Sequence, residues 1–407
     1  MDLFFTVTNL ADILGVSIRT IETRVQNGSL ILEHDAKGRA GFSYNQLRYI
    51  PVIEEMASNN WEKEISVIPK KEYKSIELFA GGGGLALGME KAGFKHILLN
   101  EIDKSACETL SHNRPNWEII NDDVHNIDFS QYKGKVDLIT GGFPCQAFSY
   151  AGNKAGFNDT RGTLFFELAR AVKETQPLVF MGENVKGLFT HDNGNTLKVI
   201  RSAIKDLGYT LIEPRVLKAI LFQVPQKRER LFLVAIRNDK YREGMFSWPF
   251  PFHRVLTLRD VFYKGLLYDC DVPDSPFQKY PKRKAEIMAM VPMGGNWKDL
   301  PVEIQKEYLK GSFHLGGGKT GIARRLSLEE PSLTLTCAPA MKQTERCHPI
   351  ETRPLSVREY ARIQTFPDEW EFMGSVSEQY KQIGNAVPVN LAFAMGRTLI
   401  RLLNQLT

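Results

Sequence analysis

The sequence predicts an α/β fold with a doubly wound, mostly parallel sheet, together with a smaller irregular domain and an N-terminal helical module. From Ser75 onward, short apolar runs such as "VDLITGGF" and "LVFMGEN" alternate with amphipathic segments such as "TLFFELARAVKE". Strands and helices that alternate in this way build a parallel sheet with helices on both faces. The alternation stops near residue 239, and helical patterning returns after Arg353.

The composition is that of a chain able to bury a large core. It has 407 residues, of which 43% are hydrophobic and 24% charged, so we expect two or three domains. A formal net charge of +5 is compatible with a polyanionic partner. We expect no membrane span and a cytoplasmic location, because no long apolar run or leader-like N-terminus is evident. The five cysteines contain no CxxC pair, so no metal site is predicted.

Changes in pattern suggest the domain boundaries. Residues 6–26 have helical spacing broken by Gly15, with Ser17 as the cap of a second helix, which is the outline of a helix-turn-helix. Arg19 and Arg24 lie along that second helix and could meet DNA, although a docking module or a dimer surface is an alternative. The predicted segments are a helix-turn-helix-like module at 1–60, a linker at 61–74, the main α/β domain at 75–239, the irregular domain at 240–352 and a return segment at 353–407.

A glycine-rich loop marks a candidate cofactor site. The run "ELFAGGGGLALG" at residues 77–88 places four glycines between a strand and a helix, where the backbone can approach a ligand closely. Phe79 could stack on an adenine, Glu101 at the end of the next strand could accept ribose hydroxyls, and Asp123 could hold the exocyclic amine. A glycine loop and two acids without a dinucleotide signature indicate a nucleoside cofactor that has no pyrophosphate. This points to S-adenosylmethionine.

A thiol and a carboxylate form the candidate reacting pair. Cys145 in "GGFPCQAFSYAG" follows the strand "VDLITGGF", so we expect it at the carboxyl edge of the sheet, where open parallel sheets place their ligands. Glu183 in "LVFMGENV" leaves the next strand at the same edge. A nucleophile and an acid beside a methyl donor make a plausible reacting set, whereas each residue alone could be structural.

With these motifs in view, the chain resembles a DNA cytosine-5 methyltransferase of the bacterial restriction-modification type with an N-terminal helix-turn-helix extension. The resemblance covers residues 75–237 and 353–400. At Gln223 the family usually has glycine. The matching segments occur in the family's order: "ELFAGGGGLALGMEKAG", "NEIDKSACETLSHNRP", "NDDVHNID", "DLITGGFPCQAFSYAG", "FNDTRGTLFFELAR", "FMGENVKGL", "QVPQKRERLFLVAIR", "RPLSVREYARIQTFPDEW" and "YKQIGNAVPVNLA".

The resemblance implies a Rossmann-like, S-adenosylmethionine-dependent methyltransferase domain and a family mechanism. The target cytosine would flip out of the duplex, and the Cys145 thiolate would add to ring carbon 6 so that carbon 5 can take the methyl group. Glu183 would hydrogen-bond ring nitrogen 3 and the exocyclic amine. Arg228 would contact the flipped base or the neighbouring backbone, and completes the catalytic set.

The resemblance also assigns binding residues. Residues 240–352 would be the target-recognition domain, in which no single base-reading residue is favoured. Candidate DNA contacts are Gln146, Ser149 and Arg230, with Arg19 and Arg24 in the N-terminal module. The candidates for base reading are Lys319, Arg324, Arg325, Thr334, Thr336, Lys342, Thr344 and Arg346. The cofactor contacts implied are Phe79, Gly81, Gly83, Glu101, Ile102, Asp123, Val124, Pro144, Leu164 and Asn385.

The expected partners follow from this interpretation. They are double-stranded DNA, a cognate restriction endonuclease as a functional partner, and the protein's own promoter if the N-terminal module acts as a repressor. We expect a monomer on DNA. Two alternatives stay open at this point: an RNA cytosine-5 methyltransferase, and a non-catalytic DNA-binding regulator. The second could dispense with Cys145 or Glu183, and the chain retains both.

Overall fold

The computed structural model of the protein describes residues 3–143, 164–314 and 320–407. The chain divides into two compact units. The first unit comprises Met1–Arg48, Gln223–Arg228 and Arg254–Pro388, and the second comprises Tyr49–Phe222, Glu229–His253 and Val389–Thr407.

Short strands and helices of very different lengths make up the described chain. The strands are β1 Phe4–Thr6, β2 Glu33–His34, β3 Ala40–Ser43, β4 Tyr73–Leu78, β5 Phe94–Glu101, β6 Ile119–Asn121, β7 Leu138–Gly142, β8 Val179–Val185, β9 Tyr209–Leu211, β10 Arg215–Lys218, β11 Gln226–Lys227, β12 Glu229–Arg237 and β13 Ser332–Leu333. The α-helices are α1 Val7–Leu14, α2 Ile18–Gln26, α3 Tyr44–Leu47, α4 Pro51–Ala57, α5 Asn60–Ile65, α6 Gly84–Ala92, α7 Lys104–Asn113, α8 Leu164–Thr175, α9 Asn195–Asp206, α10 Arg259–Phe262, α11 Lys282–Ala289, α12 Val302–Leu309, α13 Val357–Ile363, α14 Val376–Asn385 and α15 Val389–Leu406. Short 3-10 helices lie at Val124–Asn126, Ser130–Tyr132, Lys186–Phe189, His191–Gly194, Ala219–Leu221, Trp297–Asp299, Lys310–His314 and Lys342–Thr344.

The second unit is built on an eight-stranded sheet with the order β10-β12-β8-β7-β4-β5-β6, in which β9 also pairs with β12. The pairs formed among β4, β5, β6, β7 and β8 are parallel, whereas β9 and β10 pair antiparallel with β12, and β12 pairs antiparallel with β8. The predicted α/β fold with a mostly parallel sheet is confirmed. The carboxyl ends of β4, β5 and β6 therefore meet at one edge.

Helix α15 lies against α6, and glycines allow the close approach. A Cβ atom added to Gly88 would come within 2.3 Å of Ala392 Cβ, and one added to Gly396 within 2.5 Å of Ala92 Cβ. By length and composition alone, the stretch Val376–Leu406 could cross a membrane, with a mean hydropathy of 1.3 in its most apolar window. However, 83% of that window is buried inside the protein, as expected for a core helix. Helical patterning was expected here, whereas the expectation of no long apolar run does not hold for this stretch.

The segment predicted to be a linker, residues 61–74, differs from that expectation. Trp61 and Glu64 are each only 4% exposed. The Trp61 ring packs edge-on against Phe252, with centroids 5.6 Å apart. The Glu64 carboxylate forms an ion pair with Arg401 at 2.5 Å and accepts a hydrogen bond from the hydroxyl of Thr398 at 3.0 Å. This charged stretch is therefore tied into the second unit.

In the first unit, residues 3–48 form a small module of helices and strands. Helices α1 and α2 lie where the periodicity predicts them, Gly15 ends α1 in the left-handed conformation, and the Ser17 hydroxyl accepts a hydrogen bond from the Thr20 N–H at 3.1 Å. Strands β1, β3 and β2 form an antiparallel sheet in that order, which the sequence analysis did not predict.

The rest of the first unit has few strands, and buried arginines hold its loops together. Arg325 is 4% exposed and donates to the carbonyls of Val291, Met288 and Glu351 at 2.7 to 2.9 Å. Arg362 is fully buried and pairs with Asp368. Irregular backbone leaves carbonyl groups without ladder partners, and the five donors of a guanidinium can satisfy several of them at once.

Candidate active site

The glycine loop lies between β4 and α6, in the second unit. Phe79, Gly81 and Gly83 all have positive φ, at 60°, 53° and 89°. Nothing lies within 4 Å of a Cβ atom added to Gly81, so the left-handed backbone, not crowding, is what favours glycine there. The Ala80 N–H donates to the Asn100 carbonyl at 3.0 Å. The loop is a tight turn that leaves its backbone open to a ligand.

Glu101 at the end of β5 is bonded to this loop. Its carboxylate accepts hydrogen bonds from the backbone N–H groups of Gly81 at 2.7 Å, Ile102 at 2.9 Å and Asp103 at 2.8 Å. The side chain of Ile102 next to it is 67% exposed. A carboxylate has about four lone-pair sites, so Glu101 can still accept hydroxyl donors. An acid and an exposed apolar side chain thus stand together beside the loop.

Asp123 follows β6, at the same edge. It caps the 3-10 helix Val124–Asn126, and its Oδ1 accepts hydrogen bonds from the His125 N–H at 3.0 Å and from the His125 ring at 2.6 Å. The His125 N–H and then its ring hold the pKa of Asp123 below its usual value. Val124 is buried, and its carbonyl accepts from Arg170 at 2.8 Å.

The predicted cofactor residues thus fall into three groups. The first group lies in the second unit, mostly at the carboxyl ends of the neighbouring strands β4, β5 and β6: Phe79, Gly81, Gly83, Glu101, Ile102, Asp123 and Val124. Leu164 also belongs to this group, and like Phe79 it packs against the core of the second unit. Asn385 lies in the first unit, at the end of α14. Pro144 lies outside the described residues. A backbone cradle, a carboxylate and an exposed isoleucine side by side fit a nucleoside cofactor.

Glu183 on β8 is buried and paired with an arginine. Its Oε1 lies 2.8 Å from Nε of Arg230 on β12, and the two side chains are only 10% and 12% exposed. A Cβ atom added to Gly142, its partner on β7, would lie 3.1 Å from Glu183 Oε2, so the glycine leaves room for the carboxylate. Burial lowers the pKa of Arg230, and the charge of Glu183 opposes that shift. A guanidinium stays protonated in proteins, so Arg230 keeps its positive charge beside the Glu183 carboxyl group.

Asn184 is a residue that the sequence analysis missed. Its side-chain amide donates to the carbonyl of Phe143 at 2.8 Å, and its own carbonyl oxygen accepts from the Val185 N–H. Phe143 is buried against Phe165, with ring centroids 5.4 Å apart. Phe143 directly precedes the run that carries Cys145, Gln146 and Ser149, all of which lie outside the described residues. A polar residue within the apolar strand "LVFMGENV" was the available signal.

Arg228 has a different environment from Arg230. It lies in the first unit and is 1% exposed. Its guanidinium donates to the carbonyls of Gly384 at 2.9 Å, Leu335 at 3.2 Å and Asn385 at 3.4 Å. In this geometry Arg228 binds backbone, whereas Arg230, predicted only as a DNA contact, holds Glu183. The catalytic role of Arg228 and the DNA contact by Arg230 stay predictions.

The candidate base-reading residues are mostly engaged with protein. Arg325 and Arg346 are buried, and Arg346 donates to the Thr334 carbonyl at 2.6 Å. The hydroxyls of Thr336 and Thr344 lie 3.2 Å apart. Among the described candidates only Lys342 is exposed, and Arg324 is half-buried. Lys319 lies outside the described residues.

Comparisons with known proteins agree with this geometry. The family model for C-5 cytosine-specific DNA methylases matches residues 73–401. This chain belongs to that family. It is 58% identical to the Type II methyltransferase M.Eco47II of Escherichia coli over 99% of this chain and 96% of the relative. It is 45% identical to the Type II methyltransferase M.Sau96I of Staphylococcus aureus over 98% and 88% of the two chains.

Solved structures agree in fold. A candidate DNA modification methyltransferase encoded within an Escherichia coli prophage is 26% identical, with a TM-score of 0.59 over 82% of this chain and all of that one. The protein is thus a DNA cytosine-5 methyltransferase of the bacterial restriction-modification type, and it uses S-adenosylmethionine as methyl donor. Membership of a DNA methylase family favours this over the RNA-directed and non-catalytic alternatives.

Proposed function

We propose that Cys145 is the nucleophile and that it acts on a cytosine flipped out of the duplex. The observation that carries this proposal is the register of β7 and β8, which sets Gly142 beside Glu183 with room for its carboxylate. Cys145 follows Gly142 by three positions, and Asn184 holds the intervening Phe143 carbonyl. A stacked cytosine is closed to attack on its ring face, so the base must leave the stack.

The residues of the chain divide the chemical work. The Cys145 thiolate adds to carbon 6, which gives carbon 5 enamine character. The Glu183 carboxyl group accepts a hydrogen bond from the exocyclic amine and shares a proton with ring nitrogen 3, and Arg230 holds that carboxyl group in place. S-adenosylmethionine, when bound, supplies a methyl group to carbon 5 from its sulfonium. Loss of the carbon 5 proton then expels the thiolate and restores the aromatic ring.

We propose that the cofactor is held by residues at the edge formed by β4, β5 and β6. The backbone of the glycine loop with Phe79, the carboxylate of Glu101 beside Ile102, and Asp123 with Val124 would hold the nucleoside. Leu164, Pro144 and Asn385 stay proposed contacts on the family pattern. Gln146 and Ser149 are proposed DNA contacts on the same ground.

A mechanism-based trap tests the nucleophile. A duplex that carries 5-fluorocytosine at the target position should form a stable covalent adduct, because fluorine cannot leave as a cation in the place of the proton. Peptide mapping by mass spectrometry should find the adduct on Cys145. An adduct on any other residue, or none while ordinary DNA is methylated, would reject the assignment.

We propose that residues 3–48 bind DNA and regulate the protein's own operon. Arg19 and Arg24 on α2 are exposed, and neither forms an ion pair within the described residues. Unpaired arginines on the second helix of such a pair are suited to phosphates and base edges. A gel shift of the promoter by full-length protein, absent for unrelated DNA that lacks methylation sites, tests the proposal. We further propose a cytoplasmic monomer that works with a cognate endonuclease.

A further inference from the structure

The N-terminal module is joined to the rest of the first unit by an ion pair. Oδ2 of Asp12, on α1, lies 2.9 Å from Nζ of Lys227, and a carboxylate oxygen of Glu330 lies 3.5 Å from the same Nζ. The three side chains are 16%, 23% and 32% exposed. A charge buried to this degree is costly without its counter-ion. The contact is therefore part of how the module packs.

Lys227 is itself fixed to residues 254–388 of the first unit, which include most of the target-recognition domain predicted at 240–352 and are called the recognition region below. It lies on β11, opposite Leu333 of β13 in a parallel pair. Its carbonyl accepts a hydrogen bond from the hydroxyl of Thr334 at 2.6 Å. Asp12 thus binds a lysine whose backbone belongs to the framework of that region. The module has one defined placement on it and is not a freely tethered domain.

Helix α2 of the module presents two arginines to solvent. Arg19 and Arg24 are exposed and form no ion pair among the described residues, whereas Arg39 of the same module pairs with Asp35. A guanidinium that is not paired within the protein is available for a phosphate or a guanine edge. Duplex DNA is stiff over roughly 150 base pairs, so DNA held by the recognition region continues past it as a nearly straight rod.

We propose that residues 3–48 bind the duplex that flanks the methylated sequence, as an extension of the recognition region during methylation. The proposal rests on the DNA binding assigned to the module above and adds a second DNA for it, the flank of the substrate. Because Asp12 and Lys227 fix the module, its arginines meet the flank at one distance from the target site. Affinity for substrate should then depend on the length of the flank.

The experiment compares duplexes of two lengths with the full-length protein. One carries the target in about 14 base pairs and the other extends it by about two helical turns, to about 36 base pairs. The Arg19→Ala/Arg24→Ala double variant is compared with wild type and with Lys205→Ala/Arg242→Ala, which removes two exposed cations from the second unit. Dissociation constants at several salt concentrations are the main measurement, and methylation rates are measured in parallel.

Wild type and the control variant should bind the long duplex at least about tenfold more tightly than the short one, with a salt slope steeper by about 2. The Arg19→Ala/Arg24→Ala variant should lose this difference and bind the two duplexes with equal affinity. The Asp12→Asn variant weakens the ion pair between the module and Lys227, and it should lose most of the difference in affinity between the long and the short duplex. Equal length dependence in wild type and the arginine variant would overturn the proposal, and an unchanged Asp12→Asn variant would overturn the fixed attachment.

The outcome separates this proposal from autoregulation. If the arginine variant loses the promoter gel shift but keeps the length dependence, flank binding is rejected and the regulatory role stands. If it loses the length dependence and wild type shows no promoter preference, the regulatory role is rejected and flank binding stands.

Discussion

Nε of Arg230 lies 2.8 Å from Oε1 of Glu183, in a pair whose side chains are almost wholly buried. Both residues lie on strands of the second unit, and Glu183 sits opposite Phe232 in the antiparallel pair of β8 and β12. The arginine holds the one carboxylate that the proposed mechanism places on the target base. Its loss should therefore affect both folding and catalysis.

Arg230→Ala should leave the Glu183 carboxylate buried without its counter-ion, at a cost of about 3 to 5 kcal/mol in the free energy of unfolding. The single-turnover methylation rate should fall roughly 100- to 1,000-fold, because Glu183 is no longer held toward the base. Arg237→Ala is the matched control on the same strand, since Arg237 pairs with the exposed Asp239. A variant with the wild-type rate would show that the pair is only structural.

Cys145→Ala should abolish methyl transfer and leave S-adenosylmethionine affinity nearly unchanged, because the thiol acts on the base. Cys107→Ala is the control, since burial and then the charges of Glu101 and Asp103 raise the pKa of Cys107 to about 12 and keep it protonated. Single-turnover rates and calorimetric cofactor binding are the measurements. A Cys145→Ala enzyme with about a tenth of the wild-type rate would refute nucleophilic catalysis by this thiol.

Glu101→Ala should weaken S-adenosylmethionine binding by about 1 to 3 kcal/mol, because ribose hydroxyls and the loop N–H groups lose their acceptor. Titration calorimetry gives the affinity directly. Glu108→Ala is the control, because Glu108 lies on the neighbouring helix α7 and its ion pair with Lys104 is exposed. Equal affinities for the two variants would place the ribose site elsewhere.

Glu77 on β4 should make the stability fall as pH rises. It is 1% exposed and accepts a hydrogen bond from the Thr140 hydroxyl at 3.2 Å, and burial raises its pKa to about 8. In the unfolded chain this carboxyl group has a pKa of about 4.3, whereas in the folded protein it stays protonated up to about pH 8. Its contribution to the free energy of unfolding is therefore complete below about pH 4.3 and is lost as the pH rises toward about 8.

The Glu77→Gln variant tests this sign, since glutamine cannot ionise. Between pH 5.5 and 7.5, the free energy of unfolding of wild type relative to Glu77→Gln should fall by up to about 1.4 kcal/mol per pH unit. Denaturant unfolding at several pH values measures it, with the exposed Glu72→Gln as control. Parallel pH curves for wild type and Glu77→Gln would show that Glu77 is ionised in the folded protein.

The sequence predicts the part of the site that follows directly from parallel strands. Glu101 is the last residue of one strand and Asp123 follows the next. Because neighbouring parallel strands end at the same edge of a sheet, their proximity could be expected from the chain alone. The residues that end α1 and begin α2, Gly15 and Ser17, could also be predicted from the sequence. Each bonds to groups a few residues away in the chain.

The sequence could not predict the roles of side chains whose partners lie far away in the chain. The run "QKRER" does not reveal that Arg228 bonds to the carbonyl of Gly384 while Arg230 bonds to Glu183, because each partner lies far away in the chain. Arg325 lies in a basic stretch and was therefore a candidate DNA contact, yet its guanidinium points inward and donates to backbone carbonyls. Glu64 belongs to a charged stretch typical of linkers, and only its pairing with Arg401 shows otherwise.

Two N-terminal truncations should behave differently because of where the second unit begins. Removal of residues 1–48 takes away only the module and should leave an enzyme that folds and methylates the same site, without a promoter gel shift. Removal of residues 1–60 also deletes α4, whose Ile53 and Met56 are fully buried. It should lower the free energy of unfolding by several kcal/mol, at about 2 to 5 kcal/mol for each lost core side chain.

Thermal unfolding measures the stability of the two truncated proteins, gel shifts measure promoter binding, and bisulfite sequencing of methylated DNA identifies the methylated site. Equal stability of the two truncations would contradict the packing of α4, and a shifted methylation site in the shorter truncation would show that the module helps to choose the sequence.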